Sequence, residues 1–191
     1  MTNRIGANLD EYGFELYEES AIPIAYLITF RTYGTWLHGD ERKSIQRTRD
    51  GRFTTVQLDP NVPLKEKMAS EMKEPPRLLT TYQRELVEMA IRETCAYRSY
   101  GLRAVNVRTN HAHAVVSAAT GPNKIVNDLK AYSTRKLRSE GEVDGESKVW
   151  SRGASSRYLW KPKFVAAAVE YVLYSQGDVP FDSVFEMPGE E

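Results

Sequence analysis

Two strand-like runs with only Arg108-Thr109-Asn110 between them constrain this chain more than any other feature. Leu102 to Val107 and His111 to Ala118 are both rich in apolar and β-branched residues. So short a link joins neighbouring antiparallel strands and leaves no room for a crossover. The second run opens His111-Ala112-His113. Alternate side chains leave the same face of a strand. Both imidazoles therefore point the same way, close enough to chelate one divalent cation. The chain has three histidines, and two of them stand in this register. The competing readings are a surface pair or two hydrogen-bonded imidazoles. Two ligands leave a metal site incomplete, so a third has to come from elsewhere.

The other elements follow from periodicity. Ile24 to Arg31, preceded by Pro23, reads as a buried first strand. Thr80 and Gln83 form a capping-box pattern. Leu86, Val87, Ala90, Ile91, Thr94 and Cys95 then recur at helical spacing, which predicts a helix over about 82–99, ended by Gly101. Gly121-Pro122-Asn123 opens a helix over about 123–140, with Ile125, Leu129, Tyr132 and Leu137 as its inward face. Val149 to Trp160 reads as a strand, or as two short strands joined at Gly153. Pro162 suits the first turn of a last helix over about 163–176, stopped by Gly177. The order is strand, helix, strand, strand, helix, strand, helix. That is the split βαβ pattern of an α+β, ferredoxin-like fold: an antiparallel sheet with helices on one face plus an extra C-terminal helix.

A length of 191 residues suits one domain with a real core. It divides into an acidic, loosely ordered segment at 1–20, a folded unit over 21–178 and an extended tail at 179–191. The connection at 41–80 is polar and reads as irregular. The lone Cys95 excludes an internal disulfide and suits a small buried apolar site. No signal peptide is visible and no apolar run is long enough to span a bilayer, the expectation for a cytoplasmic, soluble protein.

The 26 basic and 26 acidic residues cancel, but they are unevenly placed. The two ends are acidic. Lys124, Lys130, Arg135, Arg152, Arg157 and Lys161 lie in a basic middle-to-late region. They form either solvated helix faces or a phosphate-binding strip. Chemistry at a metal on the third strand needs a nucleophile, and Tyr171 on the last helix is the leading candidate. Val165, Ala168, Val169 and Val172 form the stripe that faces the sheet, and Tyr171 lies about 120° round from its centre. A tyrosine there packs its ring and presents its hydroxyl in a cleft. It is equally a boundary tyrosine of an amphipathic helix. Tyr132 is the rival, read here as core.

With these pieces in place, the chain resembles the single-tyrosine HUH transposases, the insertion-sequence-200-like family that includes the REP-associated tyrosine transposases. His111-Ala112-His113 corresponds to the histidine motif, and Tyr171-Val172-Leu173-Tyr174-Ser175 to the tyrosine helix. Leu27 to Leu37, Val149 to Arg152 and Arg157 to Trp160 also look like such sequences. The likeness spans roughly residues 24–178, apart from the connection at 41–80. The resemblance implies a ferredoxin-like, homodimeric, nucleoid-associated enzyme acting on single-stranded or hairpin DNA. It implies Mg²⁺ or Mn²⁺ on His111 and His113, attack by Tyr171, and a 5′-phosphotyrosine intermediate. Basic residues at 123–140 and 148–163 would hold the DNA, with Trp150, Tyr158 or Trp160 stacking on bases.

Two departures stand out. The family's third metal ligand is a Gln or Asn about one turn after the tyrosine, where this chain has Ser175. Gln176 follows, but on a regular helix it would point about 140° away from Tyr171. It joins the site only if the helix unwinds or bulges before Gly177. Asn110 and His38 are other possible contributors. The middle residue of the histidine motif is also small. These departures leave a domesticated, non-catalytic DNA-binding module as the alternative. A histidine-triad nucleotide hydrolase needs a third histidine where Val115 stands.

Overall fold

The computed structural model describes residues 22–40 and 59–176 in full, and four short strands outside them as backbone. In chain order the elements are β1 (Asn8–Leu9), β2 (Glu15–Leu16), β3 (Ala25–Arg31), β4 (Ser44–Arg47), β5 (Thr55–Leu58), α1 (Val62–Ser70), α2 (Thr81–Tyr97), β6 (Gly101–Val107), β7 (His111–Ser117), α3 (Pro122–Ser139), β8 (Ser155–Leu159) and α4 (Pro162–Tyr174). The expectations for the rest of 1–20 and for the tail at 179–191 fall outside the described residues.

The main sheet has the order β6-β7-β3-β8, antiparallel throughout. The short link makes the β6–β7 hairpin, closed by the Arg108 amide donating to the His111 carbonyl at 2.7 Å. β7 lies between β3 and β6, and β3 lies between β7 and β8. Both βαβ units are therefore split by an inserted strand, as the element order requires.

Each face of the sheet carries its own core. Tyr26, Ile28 and Phe30 of β3 and Ala112, Ala114 and Val116 of β7 pack under α2 and α3. Ala25, Ala104, Val115 and Leu159 pack against Val165, Ala168 and Val172 of α4 on the other face. The alternation along β7 feeds both cores. Ala25 and Ala104 are fully buried there, and their small side chains let α4 lie close to the strands. The Thr80–Gln83 capping box forms in both directions, and Pro162 sits in the first turn of α4.

The structure departs from the sequence reading in four places. The connection at 41–80 is not irregular: β4 and β5 pair within it, and α1 follows. Asn61 caps α1 by accepting from the Leu64 amide at 3.0 Å. No residue of α1 is buried, so it carries no apolar stripe that would announce it. The turn after α2 is made by Ser99, at φ 56°, and Gly101 instead starts β6. Tyr132 is half-buried against Tyr97, while its neighbour Ser133 takes the fully buried place. Val149 to Trp160 yields one strand, β8, and a single bridge from Trp150 to Thr32.

Ala104→Leu should overpack the seat of α4 and destabilise the protein by about 1–3 kcal/mol. Urea denaturation checks this against Ala131→Leu, at an exposed position of α3. Equal stability of the two variants would contradict the close seating of α4.

Candidate active site

Alternation along β7 sends His111, His113 and Val115 to the α4 face and the alanines between them to the helix layer. Register does the rest. Thr29 and Asn106 stand opposite His113 on the two flanking strands, and Arg31 stands opposite His111. The two imidazoles meet edge to face, with ring centroids 4.6 Å apart and planes at 83°. His113 is 5% exposed and His111 half-buried. A side-chain oxygen engages the Nδ1 of each ring: Asn110 Oδ1 on His111 at 2.6 Å, and Thr29 Oγ1 on His113 at 2.8 Å.

α4 delivers Tyr171 to this pair within the same chain. Its ring stands edge-on to His113, with centroids 5.6 Å apart and planes at 80°, while the residue stays 43% exposed. The buried Asn106 side chain donates to the Val172 carbonyl at 2.9 Å, which ties the end of α4 to β6.

The helix then stops earlier than its periodicity suggests. The last helical residue is Tyr174, and the Ser175 amide closes back on the Tyr171 carbonyl at 3.1 Å. Gln176 leaves the helical path. Its side-chain amide donates to the Tyr171 carbonyl at 3.4 Å and is also hydrogen-bonded to His113. The unwinding that would let Gln176 reach the site is therefore present, and Ser175 is exposed. Two imidazoles and a carboxamide gather here, a nitrogen and oxygen donor set suited to a divalent cation of intermediate hardness.

Burial, with the charges of His111, Arg31 and Arg108, pushes the His113 imidazole down to about 4, against the hydrogen bond that the ring donates to Gln176. The ring is thus neutral near pH 7 and keeps a lone pair to donate.

The basic residues do not form one strip. Lys124, Lys130 and Arg135 sit on α3, whose apolar stripe belongs to the core on the opposite face of the sheet from the histidines. Lys124 pairs with Asp128 at 2.9 Å, and the Arg135 guanidinium lies 4.5 Å from the Tyr132 ring centre. The Lys130 ammonium donates to the carbonyls of Ser151 and Gly153 at 2.8 and 2.7 Å, tying down the segment before β8. Arg152, in the segment before β8, and Arg157, on β8, are exposed, and Lys161 occupies the N-cap position of α4.

The aromatic residues divide as well. Trp150 packs edge-on against Phe30 and donates to the Lys130 carbonyl and the Thr134 hydroxyl, so it belongs to the fold and is not a stacking platform. Tyr158 and Trp160 are exposed and nearly parallel, with planes at 14°. Tyr132 is separated from the histidines by the sheet, which removes it as a rival nucleophile.

Sequence reasoning missed Thr29, Asn106 and Arg31. The Arg31 guanidinium lies 3.3 Å from the centre of the Trp36 ring. Thr29 and Arg31 alternate along the first strand, so they share a face. Only the pairing register shows that the face is the histidines' own.

The family described as Transposase IS200 like matches residues 68–176, more than half of the chain. A REP-associated tyrosine transposase solved with a bound REP hairpin is 13% identical, with a TM-score of 0.46, over 85% of this chain and 72% of its own. A candidate transposase of Deinococcus radiodurans R1 is 10% identical, also with a TM-score of 0.46, over 83% of this chain and 95% of its own. At that level of likeness neither structure bears on the chemistry of this chain. No curated protein matches the sequence.

The His113 environment makes a pH prediction. Between pH 6.5 and 4 the unfolded chain takes up a proton at this position that the folded chain refuses. The stability is therefore whole above pH 6.5 and falls as pH drops through that window. The loss should reach about 2–3 kcal/mol at its lower end. Urea denaturation of metal-free protein at the two pH values should show a smaller loss in His113→Gln than in the wild type; equal losses would contradict the burial effect.

Proposed function

The chain belongs to the IS200-like transposase family, and on that premise we propose that it cleaves and rejoins single-stranded DNA through Tyr171. The observation that carries this reading is the contact of Tyr171 with His113 in one chain, with Gln176 folded back beside both. The Tyr171 hydroxyl attacks the scissile phosphorus, and the bond from phosphorus to the 3′ oxygen breaks. The products are a 5′-phosphotyrosine and a free 3′ hydroxyl, which rejoins strands by the reverse attack. A phenol is a weak nucleophile at neutral pH and needs activation.

His111, His113 and Gln176 would hold a divalent cation, Mg²⁺ or Mn²⁺. When bound, it supplies Lewis acidity and orients the phosphate. Gln176 thereby takes the role of third ligand that Ser175, by its position, leaves open. The half-exposed Tyr171 ring leaves its hydroxyl within reach of a strand from solvent. Exposed Arg157 on β8 and Lys161 at the start of α4 are the cations that would track its backbone, joined by Arg152 from the segment before β8. Tyr158 lies against Tyr26 on the helix-layer face, so it and Trp160 would stack only on bases that pass round the β8 edge of the sheet. Lys124 and Arg135 would meet only DNA that wraps onto the helix layer. The substrate class is single-stranded or hairpin DNA, handled by a homodimer at the nucleoid. The site residues come from one protomer.

Tyr171→Phe should abolish the denaturation-resistant protein–DNA adduct formed with Mn²⁺, while hairpin binding stays within about threefold of wild type. An adduct formed by that variant would overturn the role of Tyr171. Hairpin binding by the wild type, with no adduct under either cation, would instead favour a non-catalytic DNA-binding module. Gln176→Ala should weaken Mn²⁺ binding about tenfold or more, read by calorimetry, and Gln176→Glu should retain it.

A further inference from the structure

We propose that Asn110 is a positioning residue that sets the tautomer of His111. This rests on the reading of His111 as a metal ligand, but its test does not depend on DNA cleavage. Asn110 Oδ1 lies 2.6 Å from His111 Nδ1. A carboxamide oxygen only accepts, so the proton of the neutral ring sits on Nδ1. Nε2 is then the nitrogen with the lone pair. Free imidazole side chains in water favour the opposite tautomer, so the fold imposes a choice that the residue alone does not make.

The oxygen is held in place by the fold behind it. The Asn110 carbonyl accepts from the Thr32 amide at 2.9 Å, the Thr32 hydroxyl at 3.1 Å and the Thr35 hydroxyl at 3.3 Å. Thr32 is fully buried, and its hydroxyl also meets that of Thr35 at 3.3 Å. The turn after β3 therefore fixes the main chain of Asn110, and the main chain aims the side chain. Thr29 Oγ1 also meets the Nδ1 of His113, but a hydroxyl donates as readily as it accepts, so this contact orients the ring without choosing its tautomer. With the His111 Nδ1 held by the oxygen of the β6–β7 link, Nε2 is the ligating nitrogen of that ring. Asn110 thus acts behind the histidine and is not itself a ligand.

The test uses the full chain, metal-free, with ¹⁵N-labelled histidine, near pH 8. Two-bond ¹H–¹⁵N correlation spectra distinguish a protonated ring nitrogen from one with a lone pair. Three histidines make the assignment tractable through single His→Gln variants. Wild-type His111 should show a protonated Nδ1. Asn110→Ala should move it toward the Nε2-protonated form and weaken Mn²⁺ binding about 10- to 100-fold. Asn110→Asp keeps an acceptor oxygen and should keep the wild-type tautomer. The alanine variant retains the main-chain carbonyl and its three bonds, so the turn survives the change.

A wild-type His111 protonated on Nε2 overturns the proposal. So does an alanine variant that loses Mn²⁺ affinity with its tautomer unchanged, the pattern expected if Asn110 were a direct ligand. A protein with Nδ1-protonated His111, tight Mn²⁺ binding and no DNA adduct supports this positioning and sinks only the strand-transfer reading.

Discussion

The pairing of β7 with β3 at the centre of the sheet is the constraint on which the site depends. Its register sets His113 against Thr29 and His111 against Arg31. A slip of one residue would turn both imidazoles into the helix layer and bring Ala112 and Ala114 out under α4. Burial opposes that slip strongly. Ala112, Ala114 and Val116 are needed beneath α2 and α3, and Val115 is needed beneath α4. The hydrophobic pattern that fixes the register therefore also fixes where the two imidazoles face. The small Ala112 is part of this. It fills a fully buried place between sheet and helices and does not touch the site.

The sheet also sorts the rest of the molecule into two sides. α2 and α3 cover one face, while α4 crosses the other and carries Tyr171 to His113. Charges that looked like one strip along the chain fall on both sides. Lys130 shows why composition misleads here. Its ammonium sits under the segment leading to β8, where two carbonyls satisfy it and burial lowers it to about 8. It reads as basic in the sequence and serves as a tether in the fold. Trp150 is the aromatic counterpart, held from below by Phe30 and by its bonded indole nitrogen.

The end of α4 shows how far periodicity carries. Projected on a regular helix, Gln176 points away from Tyr171. The rule fails because the helix ends at Tyr174, and beyond a helix end the azimuth of a residue is set by the turn. The Ser175 amide makes the ordinary helical bond to the Tyr171 carbonyl, and the Gln176 side chain adds a second, longer bond to the same acceptor, whose other lone pair is free to take it. Gln176 is thereby turned back along the helix, beside Tyr171 and His113. A residue that spacing excludes is recovered by the turn at the helix terminus.

Strand alternation put His111 and His113 on one face, and the three-residue link dictated an antiparallel hairpin. Capping and apolar spacing located α2, α3 and α4 within one or two residues. These features were legible because each depends on neighbours in the chain. α1 was not, since a helix with no buried face leaves no apolar period to read. Thr29, Asn106 and Arg31 belong to the site through partners on other strands, and no local pattern names a partner 84 residues away. Asn110 stands beside His111 in the chain, but the turn that holds its main chain comes from Thr32 and Thr35. By itself the sequence determined the elements of the main sheet and the three helices packed on it, their order and the histidine pair. The tertiary structure decided which tyrosine meets that pair, which amide joins it and which cations share its face. Those choices rest on sheet register and on the satisfaction of buried polar groups, which exist only once the strands have paired.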